Sequence, residues 1–380
     1  MAVEQKVQLH RGLRNIYIDK TQTAFIDGKE GKLLYRGYNI HDLAEHSNFE
    51  ETAYLLLHGS LPTSRQFSQF DAQLKANREL PDEILELIKL NKHGHPMDVL
   101  RTAVSAMSSH DPVSTDISPE AVLTKGIKLT AVLPTIVASH ARNREGKEAV
   151  LPNGELTHSG NFLYMLFDRL PDSDETMLVD KDFLLHAEHG VNASTFAARV
   201  AASTKADYYA AITAGLSVLK GPLHGGAAEG VAKMAKEIGT EENTAPYIND
   251  LLDRRERVMG IGHAVYKAVD PRSVHLMEGA RMLGERKGQP EWFSILQAVT
   301  EVMKPYTKKG LYPNVDFWAG AIYHLLEIPE DIFIPIFAIG RVPGWTLHVM
   351  EQYANNVLLR PKLAYTGPMD LEYIPINERG

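Results

Sequence analysis

The run from Ala121 to Ser139 is apolar on most sides and carries Pro134 in its middle. A helix of that character has no face to give to water, so other helices must enclose it, and its proline should kink it. That requirement alone sets the class of fold, and the rest of the chain supplies the partners. Phe49 to a terminating Gly59, with Leu61-Pro62 beyond, reads as a helix with a glycine stop. Pro81 suits a first helical position, and Ile84, Leu87 and Ile88 recur along one buried stripe. His95-Pro96 opens another helix. Asp182 to Lys220 is Ala-rich and long, with breaks expected at Gly190 and Gly215, and Ala227 to Leu252 should break at Gly239 and Pro246. A small β excursion is expected around Asp27-Gly28, between Thr23 and Tyr35. No run of strands alternates with helices, which excludes a doubly wound or barrel α/β fold and leaves a mainly α protein.

The 380 residues suggest two domains. The sharpest mid-chain breaks are Gly221-Pro222 and Gly225-Gly226, with a weaker one between Tyr312-Pro313 and Pro329. They divide the chain into 1–221 and 322–380, forming one larger helical domain, and 222–321, a smaller inserted helical domain. Acids exceed bases by 48 to 40, for a net charge of −8, which argues against gripping nucleic acid through overall charge. Cysteine is absent, so disulfides, cysteine-ligated metals, iron–sulfur clusters and a cysteine acyl intermediate are excluded. The opening residues show no apolar leader. The longest unbroken apolar stretch, Ile332 to Ile339, is too short for a bilayer, so a cytoplasmic protein without a membrane segment is expected.

Four settings could carry chemistry. In Gly221-Pro222-Leu223-His224-Gly225-Gly226 the glycines let a ligand approach the backbone next to a histidine, although a tight turn with a chance histidine fits the same pattern. Met259-Gly260-Ile261-Gly262-His263 has half of a dinucleotide-loop pattern, without the preceding strand or the third glycine. His186 and His189 share a helix face, which raises a metal site, but their spacing is not that of a zinc-peptidase motif and no cysteine completes it. Asp316, in Asn314-Val315-Asp316-Phe317-Trp318, is either a helix N-cap or a carboxylate partly desolvated by its aromatic neighbours and so a better base. Arg272, Arg341 and Arg360 each stand beside proline or glycine. Guanidinium forks match carboxylates bidentately, so the set suits a small di- or tricarboxylate.

Taken together, GPLHGGA, GIGHAVYKAVDPR, YPNVDF, LLHAEHGVNAST and LLRPKLAYTGP resemble the citrate synthase family in its shorter bacterial and archaeal form, in order and in spacing, from about Phe25 to the C-terminus. The resemblance implies a mainly α homodimer whose small domain closes over substrate, and a transferase that condenses acetyl-CoA with oxaloacetate and water to give citrate and CoA. It is similar also to 2-methylcitrate synthases, which use propionyl-CoA. Carried onto this sequence, it makes Asp316 the base, His224 the donor to the thioester oxygen and His263 the group polarising the oxaloacetate ketone. His189, Asn192, Arg272, Phe337 and Arg341 would hold the diacid, with Arg360 reaching in from a second copy. Val258, Met259, Gly260 and Gly262 would meet the CoA adenine, Lys267 a phosphate, and Asn314 would lie beside the base. No metal and no permanently bound cofactor is implied; acetyl-CoA is a cosubstrate.

Four positions depart from the family pattern: Ala228, Ala264, Ile334 and the neighbours of Arg341, among them Pro343. Two readings of another class compete. A metal-dependent hydrolase would use His186, His189, His224 and His263, and a catalytically silent relative would bind dicarboxylates without turnover.

Overall fold

A computed structural model describes residues 8–13 and 16–379; most of the opening residues read for a leader lie outside them. Strands β1 (Ala24–Asp27), β2 (Lys32–Tyr35) and β3 (Tyr38–Asn39) form an antiparallel sheet in sequence order, in register Ala24↔Tyr35 and Asp27↔Lys32. Sixteen α-helices follow among the described residues: α1 (Ile40–His46), α2 (Phe49–His58), α3 (Ser64–Ala76), α4 (Asp82–Leu90), α5 (Pro96–Ala106), α6 (Pro119–Arg144), α7 (His158–Phe167), α8 (Ser173–His186), α9 (Ala193–Ser203), α10 (Tyr208–Leu219), α11 (Ala227–Ile238), α12 (Thr244–Asp253), α13 (Val274–Lys287), α14 (Glu291–Met303), α15 (Val315–Leu325) and α16 (Phe333–Ala354). The fold is mainly α, as the sequence demands.

Helix α6 is buried almost throughout and retains Pro134 in its interior; it packs against α16, which contains Pro343 and contacts α2, α8, α9 and α10 as well. The segments Pro119–Arg144 and Glu330–Ala354 are each long and apolar enough to cross a membrane by length and composition, but the apolar windows are 78% and 94% buried inside the protein. Counting unbroken apolar runs overlooks them because both are punctuated by polar residues. Helices α11 to α15 pack largely on one another, and α13 and α15 also touch α8.

Local chemistry explains most boundaries. Asn48 caps α2 by accepting from the Glu51 N–H, and Gly59 ends it in the left-handed region, φ 87°. His95 caps α5 ahead of Pro96, whereas Pro81 sits one residue before α4 rather than inside it. Two expected breaks are absent. Gly215 lies inside α10, buried on the face where a Cβ would touch the Ser194 carbonyl and the Trp345 ring at 3.5 Å, so tertiary packing outweighs about 1 kcal/mol of helix propensity. Pro246 lies in the first turn of α12, where the N–H it lacks would have no helical partner. The actual interruption before α10 falls between Ser203 and Tyr208.

The β1–β2 turn touches the loop after His263. Asp27 Oδ1 accepts from the N–H groups of Lys29 and Glu30, and the Gly28 carbonyl accepts from Lys267 N at 2.7 Å. A Cβ on Gly28 would stand 2.3 Å from the Val265 carbonyl oxygen, although the backbone angles of Gly28 are ones any residue adopts. Gly28→Ala should therefore destabilise the fold by about 1–3 kcal/mol through that collision alone. Denaturant unfolding measures it, and an unchanged midpoint would mean that turn and loop part freely.

Candidate active site

Two backbone N–H groups, those of Val265 and Tyr266, donate to His263 Nδ1 at 3.0 and 3.2 Å. The neutral ring must then carry its proton on Nε2, which makes that nitrogen a donor. Burial, followed by the nearby Arg272 charge, brings the His263 pKa down to about 4, so the ring is neutral at pH 7. His189 and Tyr266 complete a cluster of three rings: His189 lies 5.0 Å from His263 and 5.4 Å from Tyr266 between centroids, and its Nε2 is 3.0 Å from the Tyr266 hydroxyl. Burial, with Arg272, His263 and Arg341 adding to it, holds His189 well below the ordinary histidine range.

The loop then supplies Arg272, whose Nε and one terminal nitrogen meet Asp270 Oδ1 and Oδ2 at 3.0 and 2.8 Å. Asp270 Oδ2 also accepts from Val315 N at 3.3 Å, tying the arginine to the start of α15. There Asn314 is the N-cap: its Oδ1 accepts from Asp316 N at 3.1 Å and its Nδ2 donates to the Gly262 carbonyl at 3.0 Å. Of the two readings of Asp316, the cap is thus excluded. Its side chain is free of that duty, 20% exposed, with Oδ1 3.8 Å from His186 Nε2. Phe317 and Trp318 turn into the core.

From α16 comes Arg341, wholly buried. Its Nε donates to the His186 carbonyl, its guanidinium lies 4.6 Å from the Phe337 ring centroid, and both terminal nitrogens lack a hydrogen-bond partner among the described residues. Burial lowers its pKa only to about 10, so it remains a cation. A buried guanidinium with two open donors is costly unless an anion meets it. Phe337 is the hub of this wall, with His186 at 4.9 Å and His224 at 5.9 Å between ring centroids.

His224 lies in the turn between α10 and α11, where the glycines hold the backbone close: a Cβ on Gly225 would stand 2.5 Å from the Leu219 carbonyl and 2.8 Å from the Ile334 methyl. Burial, then Arg341, lowers its pKa to about 4. Its Nε2 is 2.8 Å from Ser194 Oγ, which also accepts from Trp345 Nε1 at 3.2 Å and lies 2.9 Å from Asn192 Oδ1. Asn192 caps α9 through that same Oδ1, so a ligand would meet its Nδ2.

Val258 to Gly262 form a loop pinned to Tyr312–Asn314: Gly262 N donates to the Tyr312 carbonyl at 2.7 Å and Asn314 N to the Gly260 carbonyl at 2.9 Å. Gly260 and Gly262 take φ of 72° and 93°, open to glycine at little cost, and a Cβ on Gly260 would reach 2.6 Å from Val231. Val258 is buried, Met259 half-buried, and Lys267 exposed with Nζ 3.3 Å from the His263 carbonyl. Arg360 is not brought into this cluster; it is exposed on the segment beyond α16, next to Pro361 and a further run of exposed residues.

Asp270, Tyr266 and Ser194 escaped the sequence reading as site residues, and His186 was weighed there only as a metal ligand. Asp270 stood two residues from Arg272, and a buried arginine needs a partner, which is a usable signal. Nothing local marks Ser194 or Tyr266. His186 Nδ1 faces Asp182 and His189 Nε2 faces Tyr266, and among the described residues no three His, Asp or Glu side chains are grouped so as to hold a metal ion.

The family model described as "Citrate synthase, C-terminal domain" matches residues 12–362. A citrate synthase of Deinococcus radiodurans is 43% identical over 371 residues, covering 97% of this chain and 98% of that one. A protein of Corynebacterium glutamicum named 2-methylcitrate synthase 1 is 40% identical over 378 residues, covering 98% and 99%. Among solved structures, the ternary complex of carboxymethyl coenzyme A and oxaloacetate with a Thermoplasma acidophilum citrate synthase superposes with a TM-score of 0.93 at 31% identity, covering 98% of this chain and all of that one.

Proposed function

Because the chain belongs to the citrate synthase family, we propose that it condenses acetyl-CoA with oxaloacetate and water to give citrate and CoA, the acyl group becoming an alkyl group on transfer. The observation that carries this reading is the buried Arg341, with two unpartnered donor nitrogens, beside neutral His263 and His224 and the Asp316 carboxylate.

A methyl group next to a thioester is a very weak acid and a carboxylate a weak base, so proton loss requires stabilisation of the enol oxygen as charge develops there. Asp316 takes the proton. Ser194 Oγ donates its single proton to Asn192 Oδ1, and turning that proton onto His224 Nε2, 2.8 Å away, makes the ring nitrogen the acceptor. Donation to His224 leaves the ring proton on Nδ1 for the thioester oxygen, a contribution of about 2.7–4 kcal/mol by analogy with an oxyanion donor. His263 donates from Nε2 to the ketone of oxaloacetate and makes its carbon electrophilic. The enol carbon attacks, forming the carbon–carbon bond, and water then cleaves the citryl thioester to release CoA.

His189, Arg272, Arg341, Asn192 Nδ2 and the Phe337 wall hold the diacid, and Arg360 is supplied by a second copy of the chain in a homodimer. The 258–262 backbone takes the adenine and Lys267 a phosphate, with Asn314 bracing that loop against α15. Closure of 222–321 over 1–221 and 322–380 excludes water until the carbon–carbon bond is made. No permanently bound cofactor takes part, and the enzyme works in the cytoplasm.

A second reading, a 2-methylcitrate synthase, is favoured by the 40% identity to a protein of that name. One methylene in an apolar pocket is worth about 1–3 kcal/mol, so a single lining residue decides the acyl preference. CoA release followed with a thiol reagent tests both readings, and a chain with no cysteine adds no thiol background. We expect oxaloacetate-dependent release with acetyl-CoA at least about tenfold faster than with propionyl-CoA. The opposite preference would select the second reading, and silence with both would refute the condensation.

A further inference from the structure

His186 ends α8 beneath the proposed base and has only acceptors at its two ring nitrogens. On one side Nδ1 lies 2.9 Å from the Asp182 carbonyl and 3.2 Å from Asp182 Oδ1. On the other, Nε2 lies 3.8 Å from Asp316 Oδ1 and has no nearer hydrogen-bond partner among the described residues. A neutral imidazole carries one N–H and cannot serve acceptors at both ends. The Tyr323 hydroxyl donates to Asp182 Oδ2, and Asp182 Oδ1, which has no hydrogen-bond partner among the described residues, faces the ring. The 3.8 Å gap is too short to hold a bridging water and closes with a small movement of the part-exposed Asp316 side chain, as unliganded catalytic contacts commonly do.

We propose that His186 is a positioning residue: clamped between Asp182 and Asp316, its ring pairs with the Asp316 carboxylate and aims it at the acidic methyl group. This rests on the reading of Asp316 as the base. Groups on every packed element bear on the charge of the ring. Asp182 on its own helix and Asp316 on α15 favour the cation; Arg341 on α16, whose Nε donates to the His186 carbonyl, and His189 beyond α8 oppose it; and Phe337 closes one face. Against burial, the two carboxylates prevail and raise the His186 pKa to about 9. The clamp suits the chemistry: a carboxylate in a site that excludes water drifts toward its neutral form, and a neutral acid cannot take a proton.

The test is the kcat–pH profile of His186→Gln, whose amide spans a similar distance without charge. A nearby cation favours the charged form of a carboxylate, so its loss should move the acid limb of kcat to higher pH, by about 1 unit or more. We expect kcat at neutral pH to fall on the order of 10-fold to 100-fold, with the oxaloacetate KM changing less than about threefold. An unmoved acid limb overturns the proposal, since a purely structural role would lower activity without shifting it. Asp182→Asn tests the same clamp with the ring in place. It should add a fall in kcat as pH rises through the neutral range, where none is expected of the wild type, and an unaltered profile counts against the clamp. If Asp316→Asn itself retains turnover, the base assignment fails and the proposal with it; if that variant is dead and His186→Gln keeps the wild-type limb, the clamp alone fails.

Discussion

Asp316→Asn will lower turnover by about 10²–10⁴-fold, the contribution typical of a positioned general base, while oxaloacetate still binds. The substitution conserves shape and removes the charge of the carboxylate together with its ability to accept a proton. It leaves the α15 cap intact, because Asn314 bonds the Asp316 backbone N–H and not its carboxylate. It deletes a negative charge from the first turn of α15, which costs about 0.3–1 kcal/mol of favourable dipole interaction, too little to unfold the chain. CoA release gives the rate and calorimetric titration with oxaloacetate gives the binding. Turnover within about tenfold of wild type would remove Asp316 as the base, and lost oxaloacetate binding would assign it to holding the diacid.

Arg341→Leu should produce the complementary result: oxaloacetate affinity reduced by about 10²–10³-fold, with little change in the stability of the unliganded protein. Ordinarily, deleting a buried charge unfolds a protein because its partner is stranded. Here neither terminal nitrogen of Arg341 has a hydrogen-bond partner to strand among the described residues; buried Glu188 loses a nearby positive charge, but its Oε1 keeps the contact with His348 at 2.9 Å. What the fold loses is chiefly the Nε bond to the His186 carbonyl, worth about 1 kcal/mol. Thermal melts with and without oxaloacetate separate the two effects, since a ligand that binds only the native state raises its midpoint. We expect that rise in the wild type and not in the variant. A variant that melts far lower without ligand would make Arg341 a structural cation, and a preserved ligand shift would remove it from the diacid site.

The two variants bear on groups that were legible to different degrees. The chemistry of Asp316 was legible as a pair of alternatives, and the cap geometry of Asn314 removes one of them. Arg341 was legible only as an arginine beside glycine; that its two terminal nitrogens are buried without a hydrogen-bond partner among the described residues depends on what the other helices fail to offer it. His186 was read against its sequence neighbour His189, because helix periodicity relates residues on one face. Its partner across the site comes from α15 and carries no mark in the local pattern. The misread Gly215 and Pro246 have the same origin: a breaker acts by its own propensity in a peptide, but a buried helix face or a first helical turn makes that propensity immaterial.

The sequence by itself determined the mainly α class, the small hairpin, the helix opening at His95-Pro96, the stop at Gly59 and the glycine-bordered histidines, since each follows from hydrogen bonding and φ within a few residues. Only the tertiary structure decided which nitrogen of His263 bears the proton, that the pKa values of His224 and His263 fall while that of His186 rises, and that the terminal nitrogens of Arg341 have no hydrogen-bond partner among the described residues. Those are states of charge set by burial and by groups arriving from distant segments. A low-dielectric interior makes such neighbours count for far more than they do in an open chain.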